Sequence, residues 1–210
     1  MSMLKVCDVV LIGQAGDRIV SGLSFKGGWN DDIFISAPQG VRKQLFYMLT
    51  GARRPDSGTV SVMGEDLYGR PAEIVRKSLG IMPEDAAFIE EMPVIDGVTL
   101  PLITAGLDKK QAAEKVREAA ETVGVTDALY SRPRFLKAVQ LKACAVIRAM
   151  VKAPDILIFE DFTGGLSLRD RSFLWDAVRN LRPHGSLLVY LSGDKEVPDE
   201  MKTAAVIDLS

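Results

Sequence analysis

The chain has 210 residues, 47% of them apolar and 26% charged, which is enough apolar material to bury one domain-sized core. Its 26 Lys and Arg against 28 Asp and Glu leave a formal net charge of -2, so there is no broad positive field to gather phosphate backbones, and a nucleic-acid partner is not expected. The two cysteines, Cys7 and Cys144, sit in apolar stretches without a metal-ligand spacing, and no run reaches the roughly 20 apolar residues of a membrane-spanning helix. The opening residues show neither the apolar core nor the cleavage site of a secretory leader. The expectation is a cytoplasmic protein, with no direct membrane insertion, that meets a membrane only through partners.

In chain order, short apolar runs at 9–12, 19–25, 33–35 and 60–63 read as strands, several of them buried on both faces. Residues 109–123 place Ala112, Val116, Ala119, Ala120 and Val123 at helical spacing with charges opposite, which predicts an amphipathic helix. A further helix is predicted over 135–150. Another follows over 168–181, capped by Ser167 with Asp170 three residues on, and with Leu174, Ala177, Val178 and Leu181 as its buried stripe. Apolar runs at 156–159, 187–191 and 204–209 supply the remaining strands. Gly and Pro punctuation at Gly27-Gly28, Pro55 to Gly58, Gly64, Arg132-Pro133 and Arg182 to Gly185 marks the turns. This order of elements argues an α/β core with helices on the sheet.

The strand at 33–35 runs into Ser36-Ala37-Pro38-Gln39-Gly40-Val41-Arg42-Lys43-Gln44 and then a helix-like stretch. A phosphate-binding loop would carry G-x-x-x-x-G-K-[ST] in that place. Ala37 stands for the first glycine, Arg42 for the second and Gln44 for the hydroxyl residue, while Lys43 is kept. Downstream, Arg54-Pro55-Asp56-Ser57-Gly58-Thr59-Val60 resembles a stretch of the ATP-binding cassette (ABC) transporter ATPases, and the likeness continues in order along nearly the whole chain. Residues 79–85 resemble the approach to that family's Q-loop, with Glu84 at the glutamine position. Leu136-Lys137-Ala138-Val139-Gln140 stands where L-S-G-G-Q belongs. Residues 153–167 resemble Walker B and the D-loop, and 187–192 the last strand, with Ser192 at the place of the switch histidine. The run at 100–106 is most similar to the subgroup of lipoprotein-releasing, macrolide-efflux and cell-division cassettes.

The resemblance implies a single α/β domain over 1–210, an ABC-type P-loop nucleotide-binding fold with an N-terminal β subdomain, a core at about 1–84 and 151–210, and an inserted helical lobe at about 85–150. It implies ATP and Mg2+ as cofactors, with Gly40, Val41, Arg42, Lys43 and Gln44 around the phosphates and Gln44 and Glu160 at the metal. Asp161, Glu84 and Ser192 fall on the catalytic positions. The partners implied are a membrane permease subunit, a second cassette in a homo- or heterodimer, or both.

Every departure from the family pattern acts against nucleotide chemistry. Ala37 and Arg42 add Cβ atoms where glycines let amides close on phosphate. Gln44 lacks the hydroxyl, Glu160-Asp161 reverses the Walker B order, Lys137-Ala138-Val139 removes the signature serine and glycines, and no aromatic near residues 11–12 can stack on adenine. Three lost charge-assisted contacts would cost at least ~4.5 kcal/mol, or ~10³ in affinity. The expected function is a degenerate ATP-binding subunit with a structural or regulatory role and weak or absent hydrolysis. Two alternatives are an active Mg-ATP hydrolase driving transport and a binding module that has left transport.

Overall fold

The structure is a computed structural model that describes residues 2–13, 15–69, 77–201 and 203–209. All seven predicted apolar runs are strands in it: β1 (Leu4–Ile12), β2 (Arg18–Gly27), β3 (Asp32–Ser36), β4 (Ser57–Val62), β7 (Ile156–Glu160), β8 (Leu187–Ser192) and β9 (Ala205–Asp208). Two short strands, β5 (Glu65–Asp66) and β6 (Leu79–Met82), were not expected. They are too brief to show the alternation by which a strand is read from sequence.

The chain divides into two units, one formed by Met1–Ile81, Asp155–Asp161 and His184–Ser210, the other by Met82–Pro154 and Phe162–Pro183. In the first, an antiparallel sheet of order β2-β1-β4-β5 accompanies a parallel sheet of order β6-β7-β8-β3-β9. Helix α1 (Gln39–Leu49) packs on β7 and β8. Val6, Val9 and Val60 from the antiparallel sheet, Ile33, Ile158 and Val189 from the parallel sheet, and Leu45 and Leu49 from α1 share one core. β7 and β8 are buried along their entire length, as expected for strands flanked on both sides. This holds the carboxyl ends of β3, β7 and β8 at a common level: Ser36 pairs with Ser192, and Glu160 with Leu191. Ligand sites of open parallel sheets lie at such ends.

The second unit is helical: α2 (Val94–Thr104), α3 (Lys109–Val123), α4 (Thr126–Leu129), α5 (Ala138–Met150) and α6 (Leu168–Leu181). Helix α3 has the predicted bounds, and Ala112, Val116, Ala120 and Val123 are its buried face, with Ala119 only half-buried at the edge. Asp108 caps it, its Oδ1 accepting from the amides of Lys110 and Gln111 at 2.9 and 3.0 Å. The helix predicted from residue 135 is interrupted. Residues Pro133–Phe135 form a 3-10 turn, Leu136 and Lys137 are extended, and α5 starts at Ala138, where Gln140 Oε1 accepts from the Lys137 amide at 3.0 Å. In α6, Ser167 Oγ accepts from the Asp170 amide as predicted, but Trp175 joins Leu174, Ala177 and Val178 in the buried face and Leu181 is left half-buried. Trp175 packs edge-on against Phe162 at 4.8 Å, which turns that face toward the indole. Helix α2 was missed because Gly97 and Pro101 lie inside it; burial of Val94, Val98 and Leu102 outweighs their low propensity. No helix among the described residues is long and apolar enough to cross a membrane.

Two predictions follow from the helical unit. Replacing Asp108 with Ala should lower the unfolding free energy by about 1 kcal/mol, and with Asn by much less, as read from urea melts. Cys144 is fully buried in α5, and burial pushes its thiol from 9.0 up to about 12. At pH 8 it should therefore resist thiol reagents in the folded protein and react on unfolding. Because the unfolded thiol ionises near 9 and the folded one only near 12, Cys144 contributes stability that is intact below pH 9 and is lost progressively from pH 9 to 12.

Candidate functional site

Residues 37–44 leave β3 and enter α1 without a loop of any length. Ala37 and Pro38 are the only residues between strand and helix, and the Arg42 amide already donates to Pro38 O at 2.9 Å. No residue from 37 to 44 has a positive φ. A concave amide nest needs alternating right- and left-handed residues, so this segment offers a plain helix start with its partial positive charge and not a cradle closed around a phosphate. Gly40 is exposed within the first turn, and a Cβ added to it would meet nothing within 4 Å. The glycine is thus not required by the conformation it adopts. Val41 is half-buried at the edge of the core, and Lys43 is exposed on the helix surface.

Arg42 turns inward. Its side chain is 4% exposed, and it lies against the carboxyl end of β7: Nη2 is 3.2 Å from Asp161 Oδ2, and Nε is 3.9 Å from Glu160 Oε1. Glu160 is equally buried, and Asp161 is 16% exposed. Two adjacent residues of a regular strand would send their side chains to opposite faces. Asp161, with φ 42°, leaves that alternation just past the end of β7, and both carboxylates reach the same guanidinium. Ser192, fully buried at the end of β8, donates to Asp161 Oδ1 at 3.5 Å and accepts from the Asp194 amide at 3.1 Å. Gly193 leaves the room that the arginine uses, since a Cβ there would stand 2.8 Å from Arg42 Nη1. Removing one partner from a buried ion pair of this kind costs about 3–5 kcal/mol, because the other charge is left uncompensated.

Gln44 is engaged elsewhere. Its Oε1 accepts from Arg53 Nη1, while Arg53 Nη2 donates to Ile12 O at 2.7 Å and pairs with Asp56 Oδ2 at 3.2 Å. The Asp56 carboxylate in turn accepts from the Ile12 amide at 2.8 Å. The residues implied at the phosphates and metal are therefore split. Arg42, Glu160, Asp161 and Ser192 converge, Gln44 joins a separate network at the end of β1, and Lys43 faces out. Glu84 belongs to the helical unit, where its carbonyl accepts from Lys142 Nζ at 3.1 Å, and Lys137 with Gln140 forms the α5 start described above. Arg53 and Gly193 were not singled out from the sequence, and Asp56 was read there only as part of a turn and of the family stretch at 54–60; nothing in their spacing signals these contacts.

This arrangement does not fit Mg2+ with a triphosphate. Magnesium needs oxygens at about 2.0–2.1 Å in near-octahedral array. Here the two strand-end carboxylates already face a guanidinium, Gln44 Oε1 is taken by Arg53, and among the described residues no three acidic, His or Cys side chains form a metal-holding group. What the site does as it stands is partly offset the charge of two carboxylates with one guanidinium.

The family described as ABC transporter matches residues 43–164, more than half of the chain. An uncharacterized ABC transporter ATP-binding protein of Thermotoga maritima is 26% identical over 95% of this chain and 88% of its own length. The lipoprotein-releasing system ATP-binding protein LolD of Shewanella frigidimarina is 26% identical over 90% and 82%. Among solved structures, CbiO1 of Clostridium perfringens superposes with a TM-score of 0.77 at 20% identity, covering 92% of this chain and 79% of its own. With the mixed antiparallel and parallel sheets and the strand-to-helix entry at residues 36–39, these matches place the chain in the ABC transporter family, as an ATP-binding cassette.

Proposed function

We propose that this chain is a degenerate ATP-binding subunit that serves an ABC transporter as a structural or regulatory partner, with weak or absent ATP hydrolysis. The family generally binds ATP with Mg2+. The observation that carries the proposal is the helical closure of residues 37–44, in which the Arg42 amide is spent on Pro38 O and no left-handed residue opens a nest. Ser192 in place of the switch histidine, the reversed Glu160-Asp161 pair and the missing signature serine and glycines support it. The Shewanella LolD is the ATP-binding protein of a lipoprotein-releasing system, and CbiO1 is part of the transporter complex CbiONQ. By that likeness this chain would sit on the cytoplasmic face of a membrane, held by a permease subunit, by a second cassette, or by both. In a heterodimer an intact partner cassette would supply the turnover that this chain lacks.

Calorimetry with millimolar Mg-ATP should give no saturable heat, and the purified chain should not release phosphate. Saturable binding at micromolar ATP, or a turnover abolished by Lys43→Ala, would restore the reading of an active hydrolase. The double variant Arg42→Gly with Gln44→Ser, assayed in Mg2+, should gain affinity while hydrolysis stays low. The backbone claim has its own test. Replacing Gly40 with Ala should raise stability by about 0.5 kcal/mol, since helical φ and open space remove any penalty. A destabilised Gly40→Ala protein would mean that the segment is an open loop.

A further inference from the structure

The misfit of metal and triphosphate at the ends of β3, β7 and β8 leaves the role of Arg42 to be explained. We propose that Arg42 is a built-in counter-ion: its guanidinium takes the place of an external cation beside Glu160 and Asp161, so that the cassette keeps its core without metal or nucleotide. The inference rests on the reading of residues 37–44 given above. Its test uses no nucleotide, so that a failure here and a failure of that reading are separable.

Three observations converge on it. Glu160 is 3% exposed and its neighbour Asp161 shares the same side of the strand end, so two like charges are held together where water is largely excluded. Such a pair is strongly disfavoured unless a cation is supplied. The guanidinium faces them with different edges: Nη2 stands 3.2 Å from Asp161 Oδ2, while Nε is 3.9 Å from Glu160 Oε1, an ion-pair approach in which neither Nε nor Oε1 makes a hydrogen bond. Finally, Gly193 shapes the wall behind Nη1, where any side chain would begin 2.8 Å away. A cation in the first turns of a helix opposes the helix dipole, so the position of Arg42 is unfavourable on α1 alone and favourable only with the carboxylates in front of it.

The experiment is thermal unfolding of the full chain in chelator, without nucleotide. Arg42→Met keeps most of the stem and removes the charge, and should lower Tm by about 10 °C. Adding Glu160→Gln and Asp161→Asn to it should recover at least half of that fall, and this triple variant should fold even if the single one does not. Manganese chloride alone, at millimolar concentration, should raise the Tm of Arg42→Met and leave the parent protein and the triple variant unmoved. The proposal is overturned if Arg42→Met is as stable as the parent. It is equally overturned if the triple variant is as damaged as the single one, or if manganese stabilises parent and Arg42→Met alike or stabilises neither. Where Arg42→Met does not fold in chelator, refolding in manganese provides the same comparison.

Discussion

The guanidinium of Arg42 lies between the carboxylates of Glu160 and Asp161 at the edge where three parallel strands end, and much of the first unit is arranged around that contact. The strand carrying Glu160 is buried throughout, which fixes the position of that carboxylate within the pleat of β7. The residue after the strand adopts a left-handed backbone, which brings the second carboxylate to the first. The helix carrying the arginine is anchored on the same sheet through Leu45 and Leu49. Charge compensation at this edge thus depends on sheet register, one unusual φ and the docking of α1 together.

Two features of residues 37–44 and their surroundings underlie the proposed loss of nucleotide binding, and they reinforce each other. One is electrostatic, the placing of a cation of the chain itself against the Walker B carboxylates. The other is conformational, the continuation of α1 back to Gln39 so that the amides around Gly40 belong to a helical turn. A side chain at residue 42 would obstruct a phosphate nest, but it is readily accommodated on a helix, where χ1 directs it back toward the preceding turn. The helical turn is therefore what lets an arginine replace a glycine without backbone strain.

Much of the fold was legible in the sequence because its signals are periodic. The i, i+4 spacing of Ala112, Val116 and Ala120 and the unbroken apolar runs of β7 and β8 depend on short-range order alone. Segments whose local chemistry opposes their state were lost, as with α2 around Gly97 and Pro101, or misdrawn, as with the extended break at Leu136-Lys137. At the candidate site the identities of Arg42, Gln44, Glu160, Asp161 and Ser192 could be read by their position in the family pattern. Their pairing could not. That Arg42 would turn toward residues more than a hundred positions away, while Gln44 two residues on would turn to Arg53, depends on tertiary placement that no spacing encodes.

The links made by α1 have a mechanical meaning as well. Near its start the helix is tied through Arg42 to the end of β7 in the parallel sheet, and through Gln44 and Arg53 to Ile12 at the end of β1 in the antiparallel sheet. Ties on both sheets brace them against shear, in the way a diagonal stiffens a frame. In the partner role proposed above, α1 would make the two sheets move as one stiff link that passes on a displacement received from a neighbouring subunit.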